Sequence, residues 1–442
     1  MAQVSNDTVV NLFKEVYGDL TDLLPEDYAL AKDIPFSQKQ KVGEKFVEAV
    51  VLSHEVGWTL GGSSMEAFDI NPAVAGSVKQ AEVTPYMTVL PSVIPFGVIS
   101  RSAGGGKVAF YDATKHVMRN NLKSHGGLQE TLRLYGQATA LLGYVSYATA
   151  TYRTVSFTTG TGTLTVNGTS VAFTTGVNTT SKWILLAPGQ FAAGNWVGRE
   201  GVQVQQVNSS GTVVAEGALV EVDADMGAIK VDFTPIAATS TTSHRLCFKG
   251  QGDAKEMIGI NKILSTAGTV FGISNSSYNI WKGSTVDCGN VKFSFQKLQD
   301  GVAQAVNRGG LDGDLKVYVN PRTWGKMIVT EAGLRMYDSS YQAGKAENGS
   351  ESIVFHHQAG KAEIMAHRFV KEGEAYALHL EDWSRSGSAE VAFSVPGMDE
   401  RIIYPLENQA GYSFKSYSDQ YMFCNGPAKS ILFTAINDES AS

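Results

Sequence analysis

Asp112-Ala113-Thr114-Lys115-His116-Val117-Met118-Arg119-Asn120-Asn121-Leu122-Lys123-Ser124-His125-Gly126-Gly127-Leu128-Gln129-Glu130-Thr131-Leu132-Arg133-Leu134-Tyr135 decides how this chain is read. Val117, Leu128, Leu132, Tyr135 and, further on, Leu142 recur at helical spacing, which predicts one amphipathic helix over 112–142. At about 1.5 Å per residue it would span on the order of 45 Å. Gly126-Gly127 falls inside it, and each glycine costs up to ~1 kcal/mol relative to alanine in a helix interior. A bend or break is therefore expected there. The polar face, with Lys115, Arg119, Lys123, Gln129 and Arg133, is expected to be solvated or to face another subunit.

What precedes the helix could not fold alone. From about 41 to 107 the chain is extended, poor in charge and punctuated by Pro72, Pro85, Pro91 and Pro95. A long segment without its own core is usually disordered or holds on to something else. This one is too apolar for disorder, as Val50, Val51, Leu52, Trp58, Leu60, Val89, Leu90, Ile94 and Phe96 show. It points to a building block whose arms bury themselves on neighbouring copies. Residues 46–52 read as a strand and 63–98 as a long loop or hairpin, with Gly104-Gly105-Gly106 as a joint before the helix. Upstream, Val9, Leu12, Phe13, Val16, Leu20 and Leu23 predict a helix over 8–24, capped by Asn6 or Asp7 and followed by Pro25. It either packs on its own domain or detaches to dock on a partner.

Composition narrows the classes. At 442 residues the chain is expected to hold two or three domains. Hydrophobic residues at 43% suffice for a sizeable core, and charged residues at 18% fall below the usual quarter, as in a protein that commits much surface to contacts. A net charge of -7 leaves no basic excess for a nucleic-acid reader. Residues 1–10 lack a signal-peptide pattern and no stretch approaches spanning length, so a soluble chain made in the cytoplasm is expected. Cys247, Cys288 and Cys424 are expected as buried reduced thiols.

Beyond the helix, 151–243 turns abruptly to Thr, Val and Gly. Asn167-Gly168 between 163–166 and 170–174 is a strong hairpin signal, because both residues tolerate positive φ. Strands at 202–207 and 212–215 flank Ser209-Ser210-Gly211, and Ile229, Val231 and Phe233 alternate. The segment predicts a small sandwich or barrel inserted after the helix. Phe295, Leu298, Val302, Ala305 and Val306 then predict a helix stopped by Gly309-Gly310. A strand over 315–319 follows, and Pro321 opens a helix carrying Trp324 and Ile328. Further strands are expected near 353–356, 362–366, 375–380, 389–394, 411–417 and 430–436.

Chemistry-bearing patterns are weak. His356-His357, His367 and His379 fall on separate strands without a Cys or carboxylate pattern, so half-buried structural histidines are expected rather than a metal cluster. Asp312-Gly313-Asp314 lacks the later ligands of a calcium loop and fits a turn. Gly160-Thr161-Gly162 leads into a hairpin, not a helix N-terminus able to receive a phosphate. His54-Glu55 has no second histidine at zinc-protease spacing. No catalytic, cofactor or metal residues are expected. A β-rich adhesin or glycan-binding module is the alternative class, and would place an aromatic-lined site near Trp183 or Trp196.

The order of parts resembles the major capsid protein of tailed bacteriophages, with its Hong Kong 97-like coat fold. The most specific stretch is Lys107-Val108-Ala109-Phe110-Tyr111-Asp112-Ala113-Thr114-Lys115-His116, continuing through Leu128 to Gln137. It looks like the strand and spine helix of the peripheral domain. The resemblance implies an α+β subunit: N-terminal arm over 1–60, extended loop over 61–106, and peripheral domain with the spine helix over 107–150. An inserted small β-barrel or sandwich would take 151–243. The axial domain with returning peripheral segments would take 244–400, and C-terminal strands of the peripheral domain 401–442. Residues 46–58 look like the end of the arm, and 295–330 like the axial helix–strand–helix run.

The implied role is self-assembly, as hexamers and pentamers, into an icosahedral shell around the double-stranded DNA of a tailed phage. A scaffolding protein and a portal are the implied partners, and the insertion is open to a decoration protein. DNA would be contacted without sequence specificity, and no membrane is involved. The virion is the implied location, after synthesis in the host bacterial cytoplasm. Gly126-Gly127 would let the spine bend between procapsid and expanded shell during maturation. Some relatives cross-link through lysine and asparagine, but no residue here matches a motif that would carry this over.

Overall fold

One continuous α-helix runs Lys107–Tyr135 in the computed structural model of the protein. The structure describes residues 28–37, 44–63, 68–97, 107–147, 151–152, 155–156, 161–240, 242–251, 255–335, 353–393, 402–407 and 409–438. The helix expected over 8–24 and the joint at 104–106 lie outside them. The long helix starts earlier than expected, taking in the supposed strand at 107–111, and stops at Tyr135 rather than Leu142.

It also passes through Gly126 and Gly127 unbroken, against expectation. A Cβ at 126 would lie 3.3 Å from the Tyr28 ring, and one at 127 would lie 3.0 Å from the Arg199 guanidinium. The two glycines give neighbouring side chains room to approach the helix. Packing on several sides offsets what helix propensity loses.

Of the face expected to be solvated or to meet another subunit, Arg119 is exposed and Lys123 half-buried, but Gln129 and Arg133 are buried. Asn121, His125, Gln129 and Arg133 form a stripe at four-residue spacing, and all four are inaccessible. Asn121 donates to the Leu90 carbonyl at 3.2 Å and to Ser92 Oγ at 2.7 Å. The His125 ring sits between Thr88 Oγ1 and Ser416 Oγ, each at 2.8 Å. Gln129 accepts from Gln420 Nε2 at 2.7 Å. Polar side chains buried in this way are stable where they find partners, although Asn121 Oδ1 accepts no hydrogen bond. The partners come from a five-stranded sheet with small polar residues on the facing side.

That sheet orders Phe36–Ser37, Trp383–Ala392, Gly411–Cys424 and Tyr404–Pro405, with Tyr86–Pro95 added on Gly411–Cys424. Tyr86–Pro95 runs antiparallel from Tyr86 opposite Gln420 to Pro95 opposite Gly411. Among the described residues it has a single neighbour, and at such an edge Pro91 and Pro95, lacking N–H donors, are tolerated.

A six-stranded sheet orders Ser284–Val291, Ile431–Ile436, Ala375–Leu378, Leu315–Val319, Gly360–Ala366 and Ile353–His357. Val317, Tyr318 and Val319 are wholly buried on its central strand. Helices Phe295–Gly309 and Pro321–Arg335 accompany it. Ser294 Oγ caps the first by accepting from Lys297 N, and Gly310 ends it at φ 61°, a left-handed cap suited to glycine. The last two strands of the chain part company: Gly411–Cys424 joins the five-stranded sheet and Ile431–Ile436 the six-stranded one.

A nine-stranded antiparallel path forms the third unit. Its order is Gly143–Tyr144, His244–Phe248, Gln203–Asn208, Val213–Asp223, Ala228–Val231, Trp183–Leu185, Val177–Asn178, Thr169–Thr174 and Thr161–Val166. The two end strands do not pair with each other, so the path is open rather than a closed barrel. Asn167 and Gly168 turn the last hairpin at φ 46° and 76°, as the sequence predicts. Short strands immediately outside 151–243 extend the sheet at one edge. The unit is also clamped to the remainder by backbone bonds: Gly373 N to Gly189 O at 2.7 Å, Glu372 N to Phe191 O at 3.0 Å and Gly194 N to Arg368 O at 3.0 Å. No described helix is long and apolar enough to cross a membrane.

Candidate assembly site

Phe46–Ser53 and Ser77–Val83 pair into a two-stranded hairpin, with Phe46 opposite Val83 and Ser53 opposite Ser77. An isolated bridge between Val56 and Val74 continues it outward. Residues 46–53 are thus the first leg of a hairpin. Tyr86–Pro95, expected within the loop, belongs to the five-stranded sheet. The reason is registry: burial alternates residue by residue along Phe46–Ser53, and the strand finds its partner in Ser77–Val83.

The base of the hairpin is built into the core. Phe46 stacks on Tyr421 at 5.4 Å and meets Phe423 edge-on at 5.8 Å. Leu52, Ala81 and Val83 join the main hydrophobic cluster, and Glu82 N donates to the Phe271 carbonyl at 2.9 Å. The outer face is bare: Val47, Val51, Val56, Val74 and Val78 are all exposed. At the tip Trp58 is 82% exposed, Ile70 81% and Leu60 94%. A two-stranded hairpin is marginal alone in water. Contiguous exposed apolar surface of this kind marks an interaction site, and covering each large apolar side chain would contribute roughly 1.5–3 kcal/mol.

A second structural joint holds the projection's root. Helix Ala29–Asp33 and the residues flanking it are bonded to the long helix and to strands of the five- and six-stranded sheets. Leu30 N donates to Glu130 Oε1 at 2.8 Å, and Tyr28 Oη donates to the Lys123 carbonyl at 2.7 Å. Arg385 donates to the Ile34 carbonyl at 3.0 Å, to the Ala31 carbonyl at 3.2 Å and to Gln420 Oε1 at 3.2 Å. Asp33 accepts from Lys316 Nζ at 2.7 Å and Tyr318 Oη at 2.6 Å.

Buried charges in this joint are paired. Glu130 accepts from Arg133 Nη1 at 2.7 Å, and His367 Nε2 lies 3.0 Å from its other oxygen. Burial alone would raise the Glu130 carboxyl, but the His367 hydrogen bond and the charges of Arg133 and His367 hold it below its ordinary range. Burial pushes Arg385 down to about 10, aided by Arg133 and opposed by Glu390, so it stays cationic at neutral pH. Such pairs fix geometry, and removing either partner leaves a buried charge uncompensated.

The histidines singled out in the sequence do not converge. His356 and His357 lie on the edge strand Ile353–His357, His367 faces Glu130, and His379 Nδ1 lies 2.9 Å from Asp382. Among the described residues no three His, Cys, Asp or Glu side chains gather around a common point. Asp312 pairs with Lys429 at 2.9 Å and Asp314 accepts from Lys361 N at 2.8 Å, the turn expected of them. All three cysteines are free and buried. Trp183 and Trp196 are buried as well, with Trp196 edge-on to Phe248 at 6.1 Å, so neither lines a surface site. Sequence reading missed Asp33, Glu130 and Arg385. The one signal available was a Glu130–Arg133 pair at i, i+3 spacing within the helix.

No family model matches the sequence, and no curated protein matches it. Solved structures do match. The capsid asymmetric unit of cyanophage A-1(L) aligns over 95% of this chain and 96% of that one, at 9% identity and a TM-score of 0.54. The capsid of the native GTA particle aligns over 96% of each chain at 9% identity and a TM-score of 0.44. The capsid of Myoviridae phage XM1 aligns over 97% of this chain and 98% of that one at 8% identity and a TM-score of 0.41. The chain has the phage capsid fold, mixed helix and sheet as the sequence predicts.

Proposed function

We propose that this chain is a major capsid protein, whose copies assemble as hexamers and pentamers into the icosahedral shell of a tailed bacteriophage around its double-stranded DNA. The observation that carries the reading is the hairpin 46–83: its base is fixed in the core, while its outer face and tip present Val47, Val51, Trp58, Leu60 and Ile70 to solvent. On a subunit with a capsid fold, a second copy is the natural cover for it. Obligate interfaces commonly bury more than ~2,000 Å² in total.

In this reading the long helix and five-stranded sheet make the peripheral domain. The six-stranded sheet with its two helices makes the axial domain, and the nine-stranded path is the insertion. A scaffolding protein and portal would guide assembly, and the role is structural rather than catalytic. Negative-stain microscopy of the expressed chain tests it. Megadalton shells are the expected result; a monodisperse small species at high protein concentration would overturn it.

A further inference from the structure

Thr269–Val270 and Ile273–Ser274 pair antiparallel, Thr269 opposite Ser274 and Val270 opposite Ile273, so Phe271 and Gly272 alone make the turn between them. Both have positive φ, 53° at Phe271 and 80° at Gly272. A two-residue turn with this backbone ordinarily carries Asn-Gly or Gly-Gly, because the Cβ of a larger residue crowds the following carbonyl oxygen. Gly272 meets that demand and Phe271 does not. A phenylalanine in the left-handed region is local strain, which the surroundings must maintain.

Two contacts maintain it, and both lead to the hairpin 46–83. The Phe271 ring is buried and lies 5.2 Å from the Phe423 ring. Phe423 in turn meets Phe46, the first residue of the first leg, at 5.8 Å. The Phe271 carbonyl accepts from Glu82 N, in the second leg, at 2.9 Å. Among the described residues this is the one hydrogen bond between strands 46–53 or 77–83 and any other element. The remaining hold on the root is apolar packing, which has no direction. A hydrogen bond has one, and weakens steeply as it bends. Behind the turn, Trp281 Nε1 donates to the Val270 carbonyl at 3.3 Å, so the turn is itself fixed to the core.

We propose that the turn Val270–Ile273 is the gauge that fixes the direction of the hairpin 46–83, with Phe271 as its positioning residue. The ring locates the turn on Phe423, and the left-handed backbone aims the carbonyl at Glu82 N. This rests on the assembly role given to the hairpin and adds what that role requires: a tip that must meet a neighbouring copy needs the same angle in every subunit. A small tilt at the root is magnified at Trp58 and Leu60, because each strand residue adds about 3.3 Å of lever.

Spin labels on Leu60→Cys at the tip and Lys415→Cys on the five-stranded sheet read this direction in the full-length, unassembled chain by double electron–electron resonance. Both positions are exposed, and the three natural cysteines are buried. The otherwise unaltered chain is expected to give one narrow distance. Glu82→Pro removes the N–H donor, leaves every ring in place and is expected to lose that single distance. Glu82→Ala removes the 2.8 Å ion pair with Lys45 but keeps the N–H, and is expected to retain it. Phe271→Gly suits the backbone and deletes the ring; it too is expected to lose the single distance, and it decides the matter should Glu82→Pro not fold. A broad distribution before any change to the turn, or a narrow one unaltered in both Glu82→Pro and Phe271→Gly, would overturn the proposal. These distances need no shells, so they are independent of the assembly reading. Where unlabelled wild-type shells form, Glu82→Pro is expected to close fewer of them than Glu82→Ala, and equal yields would remove the gauge from assembly.

Discussion

Tyr318 donates its hydroxyl to Asp33 across 2.6 Å, joining residues 285 positions apart. Burial and the Asp33 carboxylate both raise the Tyr318 phenol well above its ordinary range, so it remains a donor throughout the stable pH range. The same carboxylate takes Lys316 Nζ at 2.7 Å. One short helix turn is thereby fastened to the central strand of the six-stranded sheet, while its other bonds reach Glu130 and Arg385.

Asp33→Ala should therefore strand Lys316 and Tyr318 together. A loss of roughly 1–3 kcal/mol in unfolding free energy is expected, with a smaller loss for Asp33→Asn, which keeps an acceptor. Urea denaturation checks this; equal stability of Asp33→Ala and wild type would mean the joint is redundant.

Two buried groups should give the protein an asymmetric pH profile. Burial lowers His125 from 6.5 to about 4, so the unfolded chain takes up a proton first as pH falls and stability is lost from 6.5 towards 4. Burial raises Glu256 from 4.5 to about 8, opposed by the Gln137 N–H, so the unfolded chain releases its proton first and stability is lost as pH rises from 4.5 towards 8. Between 4.5 and 6.5 the two slopes offset each other. Above 6.5 only Glu256 acts, at up to ~1.4 kcal/mol per pH unit. Glu256→Gln should flatten the fall between pH 6.5 and 8, and His125→Gln should remove the acid slope. Denaturation curves across this range decide it, and a wild-type profile retained in Glu256→Gln would refute the assignment.

Replacing Trp58 and Leu60 together by serine should leave the subunit's stability within about 0.5 kcal/mol, since exposed side chains away from packed features contribute little. Assembly should be impaired. Sedimentation of shells against free subunits is the readout, and normal shells from the double variant would remove the tip from the interface.

Excising 151–243 should lower the soluble fraction rather than yield a tidy smaller subunit. Leu142, Val145, Leu246 and Phe248, just outside that span, belong to the insertion's own hydrophobic cluster and would be uncovered. Comparison of soluble yields tests this. Undiminished yield would show that the remaining sheets close over those residues.

Much of this was legible from local pattern. Asn167-Gly168, the cap at Gly310 and the strand Leu315–Val319 stand where turn chemistry and alternation predict them. The long helix was legible in kind but not in environment. Its Asn121, His125 and Gln129 stripe has the composition of a wet surface, and only the small polar residues of strands far along the chain make it an interior seam. Gly126-Gly127 failed for the same reason, because helix propensity carries no information about Tyr28 and Arg199. Likewise the hairpin's registry depends on a partner strand more than twenty residues on, which no short window contains.

The division of the last strands, Gly411–Cys424 to one sheet and Ile431–Ile436 to the other, has a consequence for the order of events in the cell. In the six-stranded sheet Ile431–Ile436 sits between Ser284–Val291 and Ala375–Leu378, and in the five-stranded sheet Gly411–Cys424 bridges Trp383–Ala392 to Tyr86–Pro95. The five-stranded sheet cannot close before Gly411–Cys424 is available, nor the six-stranded sheet before Ile431–Ile436. Each sheet is thus completed by the strand that follows all its others along the chain, so both stay open until that late segment has been made.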